Sequence, residues 1–293
     1  MDALGYYNGK WGPLDEMTVP MNDRACYFGD GVYDATCAAN GIIFTLDEHI
    51  DRFFNSAKLL EIKISLTKEE LKKTLKEMLC KVDKGEYLVY WQATRGTGRR
   101  NHIFPAGPSN LWIIIKPNPI DNLYRKIKLI TMEDTRFLHC NIKTLNLLPN
   151  VIASQRALEA DCHETVFHRG ETVTECAHSN VHIIKNGRFI THPADNLILQ
   201  GIARSHLLQV CDRLDIPVDE REFTLSELFD ADEVLVSSTD NFGLSAETID
   251  GKKVGGKAPE LLKKIQDEVL GEFIEATGCA PAWVEQGIES INC

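Results

Sequence analysis

The chain has 293 residues, 43% of them hydrophobic, and a formal net charge of −11 at pH 7. This length and apolar content are enough for a sizeable core and predict two domains. The negative charge, with no basic run or basic aromatic patch, argues against nucleic acid or an anionic membrane as a partner.

The start of the chain, Met1 to Tyr6, lacks the charged start and apolar stretch of a signal peptide, and no apolar run approaches the length of a membrane span. The nine cysteines are an odd number and are scattered, which does not fit a disulfide framework. We therefore expect a cytoplasmic protein with reduced thiols. Cys140, Cys162 and Cys176 lie beside or near histidines, but no Cys-x-x-Cys pair occurs, so we expect small buried thiols and incidental histidines rather than a metal site.

Mixed helix and strand patterns fill the first 116 residues. The predicted elements are, in chain order, a strand at 32–39, a tight turn at Asn40-Gly41, a return strand at 42–44, a helix from about residue 47, a helix capped by Thr67 with Glu70, and strands at 86–95 and 111–116. Pro117 and Pro119 follow, and prolines so close together cannot continue a strand or a helix. We therefore predict an N-terminal domain at 1–116, a linker at 117–122 and a C-terminal domain at 123–293.

The second half is richer in strand patterns. Its predicted elements are a strand at 126–132, a helix at 146–160 with Pro149 in its first turn, strands at 181–184 and 188–191 around an Asn186-Gly187 turn, a helix opened by Gly201, a strand at 233–236, a turn at Asp250-Gly251 and a last helix from Pro259. The tail after Gly278 is predicted to be loosely held.

Lys143 is a candidate catalytic residue. Lys143 has apolar neighbours, Ile142 and Leu145, and desolvation lowers the pKa of an ammonium group, so that the neutral amine can form a Schiff base with an aldehyde. Glu175, in the run Thr172 to Glu175, offers the carboxylate that keeps a bound pyridine nitrogen protonated. Together they favour a pyridoxal 5'-phosphate (PLP) enzyme; the ordinary alternatives are a solvated lysine and an edge strand.

A cofactor phosphate needs backbone N–H groups, hydroxyls and a fixed cation. Candidates for these contacts are the helix start at Gly201, Ile202 and Ala203, the hydroxyls of Ser238 and Thr239, and the guanidinium of Arg52. Each feature alone is weak, because a turn after a strand and a solvated arginine are common.

A substrate carboxylate also needs a cation. The segment from Arg95 to His102 carries three arginines and a histidine around two glycines, and a local basic loop is informative in an acidic chain. Tyr33 is a candidate phenol donor. A solvated loop and a half-buried strand tyrosine remain the alternatives.

Taken in order, these motifs resemble the class IV family of PLP-dependent aminotransferases, which covers branched-chain and D-amino acid enzymes, and they are most similar to its bacterial D-amino acid branch. The matching segments are Phe28 to Tyr33, Glu48 to Arg52, Arg95 to Thr97, Ile142 to Asn146, Thr174-Glu175 with Ser179 to Val181, Gly201-Ile202 and Ser238-Thr239. The similarity runs from about residue 5 to about residue 275, so it covers nearly the whole chain.

The resemblance implies a fold and an assembly. The fold is the mixed α/β and α+β, two-domain architecture of fold type IV, with a small N-terminal α/β domain and a larger, strand-rich C-terminal pseudo-barrel domain. The assembly is a homodimer whose sites take residues from both subunits.

The resemblance also implies residue roles. Lys143 would hold PLP as a Schiff base and shuttle the substrate α-proton, and Glu175 would pair with the pyridine nitrogen. Leu199 would pack on the ring; Arg52, Ile202, Ala203, Ser238 and Thr239 would hold the phosphate; and Tyr33, with Arg100 and His102 of the partner subunit, would bind the substrate carboxylate. Arg136 and Glu164 match residues near the edge of the cofactor.

The implied activity is amino-group exchange between a D-amino acid, of the D-alanine or D-glutamate type, and a 2-oxo acid. The alternatives are a branched-chain L-amino acid aminotransferase, an aminodeoxychorismate lyase, an (R)-amine aminotransferase and a vitamin-binding protein without activity. The chain departs from the family pattern at Ala203, at Cys176 to His178, and at Asp240-Asn241. These departures leave the preferred substrate side chain open.

Overall fold

The computed structural model describes residues 3–285, which form two compact units. Unit 1 consists of residues 3–120, 142–146 and 274–282, and unit 2 of residues 121–141, 147–273 and 283–285. The segment that carries Lys143 therefore belongs to unit 1, although it follows the linker predicted at 117–122. The tail after Gly278 is predicted to be loosely held, but this is wrong for Ala282–Glu285, which form a short helix whose first amide donates to the side chain of Glu86 at 2.6 Å. Residues 286–293 lie outside the described residues, as do Met1 and Asp2.

Unit 1 is built on a six-stranded sheet. Its elements are β1 (Leu4–Tyr7), β2 (Lys10–Pro13), a 3-10 helix (Leu14–Glu16), α1 (Arg24–Phe28), β3 (Gly31–Ala39), β4 (Ile42–Ile43), α2 (Leu46–Leu59), α3 (Lys68–Leu79), β5 (Tyr87–Thr94) and β6 (Asn110–Pro117). The strand order is β2-β1-β6-β5-β3-β4, and every neighbouring pair is antiparallel.

Local sequence explains several of these boundaries. Asn40 and Gly41 have positive φ angles of 53° and 79°, as a tight hairpin turn between β3 and β4 requires. Thr67 and Glu70 form the predicted capping box at the start of α3. The apolar faces of α2 and α3 join the core of the sheet, where Trp91 is fully buried.

The segment around Lys143 pairs with the start of β3. The amide of Tyr33 donates to the carbonyl of Lys143 at 2.9 Å, and the amide of Leu145 donates to the carbonyl of Gly31 at 3.0 Å. A Cβ atom at Gly31 would lie 2.6 Å from the carbonyl oxygen of Ala93 and 2.6 Å from a methyl group of Leu145. Only glycine permits this approach, which fixes the backbone of Lys143 beside that of Tyr33.

Unit 2 contains a nine-stranded mixed sheet. From residue 121 onward the elements are β7 (Lys126–Glu133), α4 (Leu148–Glu159), β8 (Glu164–Arg169), β9 (Thr172–Cys176), β10 (Asn180–Lys185), β11 (Arg188–Thr191), α5 (Ile202–Arg213), β12 (Val218–Glu220), α6 (Leu225–Asp230), β13 (Glu233–Ser237), β14 (Leu244–Ile249), β15 (Lys252–Lys253), α7 (Pro259–Thr277) and α8 (Ala282–Glu285). The strand order is β12-β11-β10-β13-β14-β7-β8-β9, and β15 pairs with β14.

Most predicted elements are confirmed, with shifts of a residue or two at their ends. Strand β6 continues to Pro117, which is paired with Tyr87, because a proline is tolerated at the end of a strand. Helix α4 begins at Leu148, two residues later than predicted. Strands β1, β2, β8, β12, β14 and β15 and helices α1, α6 and α8 were not predicted. Among residues 3–285, no helix is long and apolar enough to cross a membrane.

Candidate active site

In unit 1, the amine of Lys143 lies against a phenol. Its Nζ donates to the hydroxyl of Tyr33 at 3.3 Å and stands 4.4 Å from the centre of the Tyr33 ring. The backbone amide of Lys143 donates to the hydroxyl of Ser56 on α2 at 3.2 Å. The lysine is half-buried and follows the buried Ile142. Its amine is thus held next to a neutral hydroxyl.

Tyr33 is itself fixed by packing on β3. Its ring stacks on that of Tyr90 with centroids 5.5 Å apart, and the Tyr90 hydroxyl donates to Gln92 at 2.7 Å. Burial, and then the neighbouring Tyr33, raises the pKa of Tyr90 well above its usual value. Tyr90 therefore stays protonated at neutral pH and remains a donor to Gln92.

Arg52 is bound to a buried carboxylate. Its Nε donates to one oxygen of Asp34 at 2.9 Å and an Nη donates to the other at 2.7 Å. The Nδ1 atom of His49 lies 2.7 Å from the same carboxylate. Burial opposes ionisation of Asp34, but Arg52 and His49 outweigh it and hold the pKa of this carboxyl well below its usual value.

Arg100 and His102 lie on an exposed loop of unit 1 and share one aromatic neighbour. The Arg100 guanidinium is 5.5 Å from the centre of the Phe28 ring, and the His102 ring is 5.3 Å from it. Arg24 also lies over Phe28, at 4.8 Å, and donates to the carbonyl of Asn101 at 2.8 Å. Phe28 and Arg24 therefore support the loop that carries both predicted carboxylate ligands.

In unit 2, Glu175 on β9 is a buried carboxylate with donors at both oxygens. One oxygen accepts from Arg136, and the other accepts from the side-chain amide of Asn180 at 3.1 Å and from the backbone amide of Leu199 at 2.9 Å. Glu175 is only 5% exposed. Three donors on a desolvated carboxylate favour its ionised form and fix its plane.

Arg136 connects Glu175 to a second carboxylate. Its Nε and an Nη donate to the two oxygens of Asp134, each at 2.9 Å. Arg169 and Thr174 also donate to Asp134, at 3.2 Å and 3.1 Å. Burial alone would raise the pKa of Asp134, but the bonds from Arg136 lower it below its usual value.

Helix α5 begins with backbone donors and no side-chain cap. Gly201 is the residue before its first turn, followed by Ile202 and Ala203. A Cβ atom at Gly201 would stand 2.2 Å from the side-chain oxygen of Asn180, so a side chain there would clash with the residue that holds Glu175. The N–H groups of an uncapped first turn attract anions.

Ser238 and Thr239 follow β13, as predicted, in a turn whose residues hydrogen-bond to one another. The amide of Ser238 donates to the side chain of Asn241 at 2.9 Å, and the hydroxyl of Ser238 donates to Asp240. The two residues that depart from the family pattern here therefore contact Ser238. An anion at this turn would compete with Asp240 for the hydrogen bond that the Ser238 hydroxyl donates.

The departure at His178 has a partner as well. His178 Nδ1 lies 2.8 Å from the carboxylate of Glu164, and the hydroxyl of Ser179 donates to the same oxygen at 3.0 Å. Burial raises the pKa of the neighbouring Cys176 thiol well above its usual value. Cys176 is therefore an inert thiol at neutral pH. It is buried as predicted, whereas Cys140 and Cys162, predicted to be buried as well, are partly exposed.

Sequence reasoning missed four side chains that position these groups. Asp34 and His49 hold Arg52, Asp134 holds Arg136, and Asn180 holds Glu175. The spacing of His49 and Arg52, three residues apart on a helix, was a usable signal, since it places both on one face. Asp134 and Glu175 are far apart in the chain, so local sequence carried no sign of their shared partner.

A family model described as amino-transferase class IV matches residues 31–245. The D-alanine aminotransferase of Staphylococcus haemolyticus is 40% identical over 277 residues, which cover 92% of this chain and 98% of the relative. That of Bacillus licheniformis is 38% identical over 274 residues, covering 91% and 97%. Among solved structures, the branched-chain amino acid aminotransferase from Escherichia coli superposes with a TM-score of 0.85 and 21% identity over 96% of this chain and 97% of that one.

These likenesses bear on fold and on sequence separately. The solved structure is too distant in sequence to show more than the fold, and it confirms the predicted fold type IV architecture. The family match and the sequence relatives confirm the resemblance inferred from the motifs.

Proposed function

Because the chain belongs to the class IV aminotransferases, we propose that it exchanges an amino group between a D-amino acid, of the D-alanine or D-glutamate type, and a 2-oxo acid. Membership makes the chain a PLP-dependent transaminase. The choice of D-amino acids is supported by one observation above all, the 40% identity over 277 residues to a relative named D-alanine aminotransferase. The branched-chain likeness is one of fold alone and carries no information on substrate hand.

The side chains present fit PLP. Lys143 offers a half-buried amine for an aldehyde, and Glu175 offers a carboxylate held by three donors for a ring nitrogen. The start of α5 offers backbone N–H groups where a Cβ atom at Gly201 would fill the space needed by Asn180. An amine, a fixed anion and an anion-binding helix start are the three kinds of group that an aldehyde, a pyridine and a phosphate require.

When bound, PLP supplies an aldehyde that condenses with amines and a protonated ring that accepts electrons. We propose that Lys143 would hold this aldehyde until the amine of the substrate displaces it. The freed amine of Lys143 would then take the α-proton of the substrate at Nζ and deliver it to the carbon that had been the aldehyde. The Tyr33 hydroxyl, which accepts from Nζ at 3.3 Å, orients the amine for this transfer.

Glu175 is proposed to keep the ring nitrogen protonated. A carboxylate beside a cationic nitrogen at low effective dielectric contributes several kcal/mol, or a few pKa units. Arg136, Asn180 and the amide of Leu199 fix the carboxylate, so it needs little reorganisation when the nitrogen arrives.

The remaining contacts are proposed from the family pattern. Leu199 would contact the ring, and the phosphate would be held by Arg52, the amides of Ile202 and Ala203, and the residues Ser238 and Thr239. Ala203 has no hydroxyl, so it contributes only its backbone. Tyr33, Arg100 and His102 bind the carboxylate of the substrate.

We further propose a homodimer in which Arg100 and His102 act in the partner's site. Both side chains are exposed on their loop. Separately, α4 has exposed apolar side chains at Leu148, Val151, Ile152 and Leu158, a pattern typical of a surface that another protein covers.

Subunit complementation tests this assembly. Lys143→Ala and Arg100→Ala should each be inactive as homodimers, and mixing them should restore activity, because one site of the mixed dimer has both residues intact. No recovery after verified subunit exchange would place both residues in the same subunit's site.

We also propose that the protein works in the reducing cytoplasm. The cysteines of residues 3–285 are free thiols, and burial raises the pKa of Cys211 to about 12. Fractionation of cells that express the tagged protein, followed by detection of the tag in each fraction, tests the location.

The experiment that tests the substrate hand uses the purified, PLP-loaded enzyme. D-alanine, L-alanine and L-leucine are added separately, without a 2-oxo acid, and the cofactor absorbance is followed. We expect D-alanine alone to convert the cofactor to its amine form and release pyruvate. Conversion with L-leucine alone would make the protein a branched-chain enzyme, and a preparation that cannot be loaded with PLP would contradict the assignment altogether.

A further inference from the structure

A buried three-residue cluster in unit 1 has no part in the function proposed so far except through Arg52. Asp34 comes one residue after Tyr33 on β3, so the two side chains point to opposite faces of the sheet. His49 and Arg52 are three residues apart on α2 and share the face that meets Asp34. Asp34 and His49 are fully buried, and the Arg52 side chain is 12% exposed.

The geometry fixes the plane of the guanidinium. Two N–H groups on one edge of Arg52 donate to the two oxygens of Asp34, at 2.9 Å and 2.7 Å. A bidentate pair of this kind removes rotation about the last bonds of the arginine as well as binding its charge. The direction of the whole planar group therefore follows from the position of Asp34.

His49 fixes the carboxylate in turn. Its Nδ1 is 2.7 Å from the Asp34 oxygen that also accepts from Arg52, so Nδ1 carries the hydrogen. Burial lowers the pKa of His49, and the ring is neutral at pH 7. Its Nε2 is buried and has no hydrogen-bond partner among residues 3–285. Burying an unpaired nitrogen is unfavourable, so the favourable hydrogen bonding of this imidazole within residues 3–285 is at Nδ1.

We propose that Asp34, held by His49, is a positioning residue that aims the guanidinium of Arg52 at the phosphate of the cofactor. The inference rests on the proposed role of Arg52. It opposes a simpler view in which Asp34 only neutralises a buried charge. In that view, removing the Asp34 charge would strengthen phosphate binding, whereas loss of positioning weakens it.

The test compares two ligands that differ only in the phosphate. Apoenzyme of the wild type and of Asp34→Asn is titrated with PLP and with pyridoxal. In the variant, the new NH2 group faces a donor of Arg52 or His49. The bidentate pair between residue 34 and Arg52 is therefore broken, while the side-chain volume stays similar. We expect PLP binding to weaken about tenfold to a hundredfold, the scale of a hydrogen bond to a charged group, and pyridoxal binding to change less than about threefold.

Three controls make the result specific. Asp51→Asn removes an exposed carboxylate of the same helix, paired with Lys68, and should leave both affinities unchanged. In an Arg52→Lys background, where the bidentate pair cannot form, Asp34→Asn should add little further loss of PLP affinity. His49→Asn, whose amide can replace the Nδ1 donor, should bind PLP better than His49→Phe, and this pair decides the matter if Asp34→Asn does not fold.

The outcomes separate cleanly. Selective loss of PLP affinity supports positioning. Equal loss for both ligands, no loss, or tighter PLP binding would overturn it. If the wild type itself fails to bind PLP, the proposed function fails; if the wild type binds PLP and Asp34→Asn binds it equally well, only the positioning role of Asp34 is lost.

Discussion

The two units hold their proposed reactive groups in opposite ways. In unit 1 the amine of Lys143 donates to a neutral phenol at 3.3 Å. In unit 2 the carboxylate of Glu175 accepts from a guanidinium, a side-chain amide and a backbone amide. A group that must form and break a covalent bond benefits from a weak neutral partner, whereas a group that supplies a fixed charge benefits from strong ones.

The largest expected effect comes from removing the weakly held group. Lys143→Ala should lower the kcat of transamination by at least about 10³-fold, because the amine that moves the proton is lost. Lys128→Ala, which removes an exposed lysine paired with Asp161, is the control. Comparable activity in the two variants would remove Lys143 from the mechanism.

The strongly held group should matter for rate more than for attachment. Glu175→Gln keeps the shape but removes the charge, so we expect kcat to fall about 10²-fold through loss of the ring proton, a change of a few pKa units. Glu175→Lys should still bind PLP at Lys143 while weakening the ring further as an electron acceptor. Transamination at the normal rate in either variant would refute the role of Glu175.

Lowering the pH should remove the contribution that the ion pair between Arg136 and Asp134 makes to the free energy of unfolding. The pKa of Asp134 is lowered in the folded state, so its contribution is present above the unfolded value of 3.8 and is lost as the pH falls through the folded value. Asp134→Asn should lower the free energy of unfolding at pH 7 by about 3 kcal/mol, since it breaks a buried ion pair.

Urea unfolding at a series of pH values measures this difference between wild type and variant. The gap should shrink as the pH falls below about 4. A gap that stays constant or widens in acid would show that Asp134 contributes through packing rather than charge.

The smallest expected effect concerns the turn after β13. Asp240 accepts a hydrogen bond from the hydroxyl of Ser238, and its negative charge opposes a nearby phosphate. Asp240→Ser should therefore slow the release of PLP, by about twofold to tenfold, the scale of one weak hydrogen bond. Dialysis against a PLP trap measures the release rate. Faster release would mean that Asp240 organises the turn rather than competing with the ligand.

Local patterns predicted the parts of the fold that depend on neighbouring residues. The Asn40-Gly41 turn and the Thr67 capping box are confirmed because each is determined by residues within one turn. The short strands β1 and β2 were missed because four residues carry too little alternation to be recognised.

Contacts between residues far apart in the chain limited how much of the candidate site could be predicted from the sequence. The chain returns to β3 after about a hundred residues to place Lys143 beside Tyr33, and no periodicity marks that return. The same holds for Arg136 and Glu175, which are 39 residues apart. Family motifs indicated the residues, but the roles of Asp34 and His49 in holding Arg52 were assigned from hydrogen-bond geometry.

The most direct test of the account is to find where the cofactor is attached. The PLP-loaded enzyme is reduced with borohydride, digested and mapped by mass spectrometry. We predict a single phosphopyridoxyl group on the peptide that contains Ile142, Lys143 and Thr144. A label on any other lysine, or no label on a protein that retains PLP, would contradict the mechanism proposed for this chain.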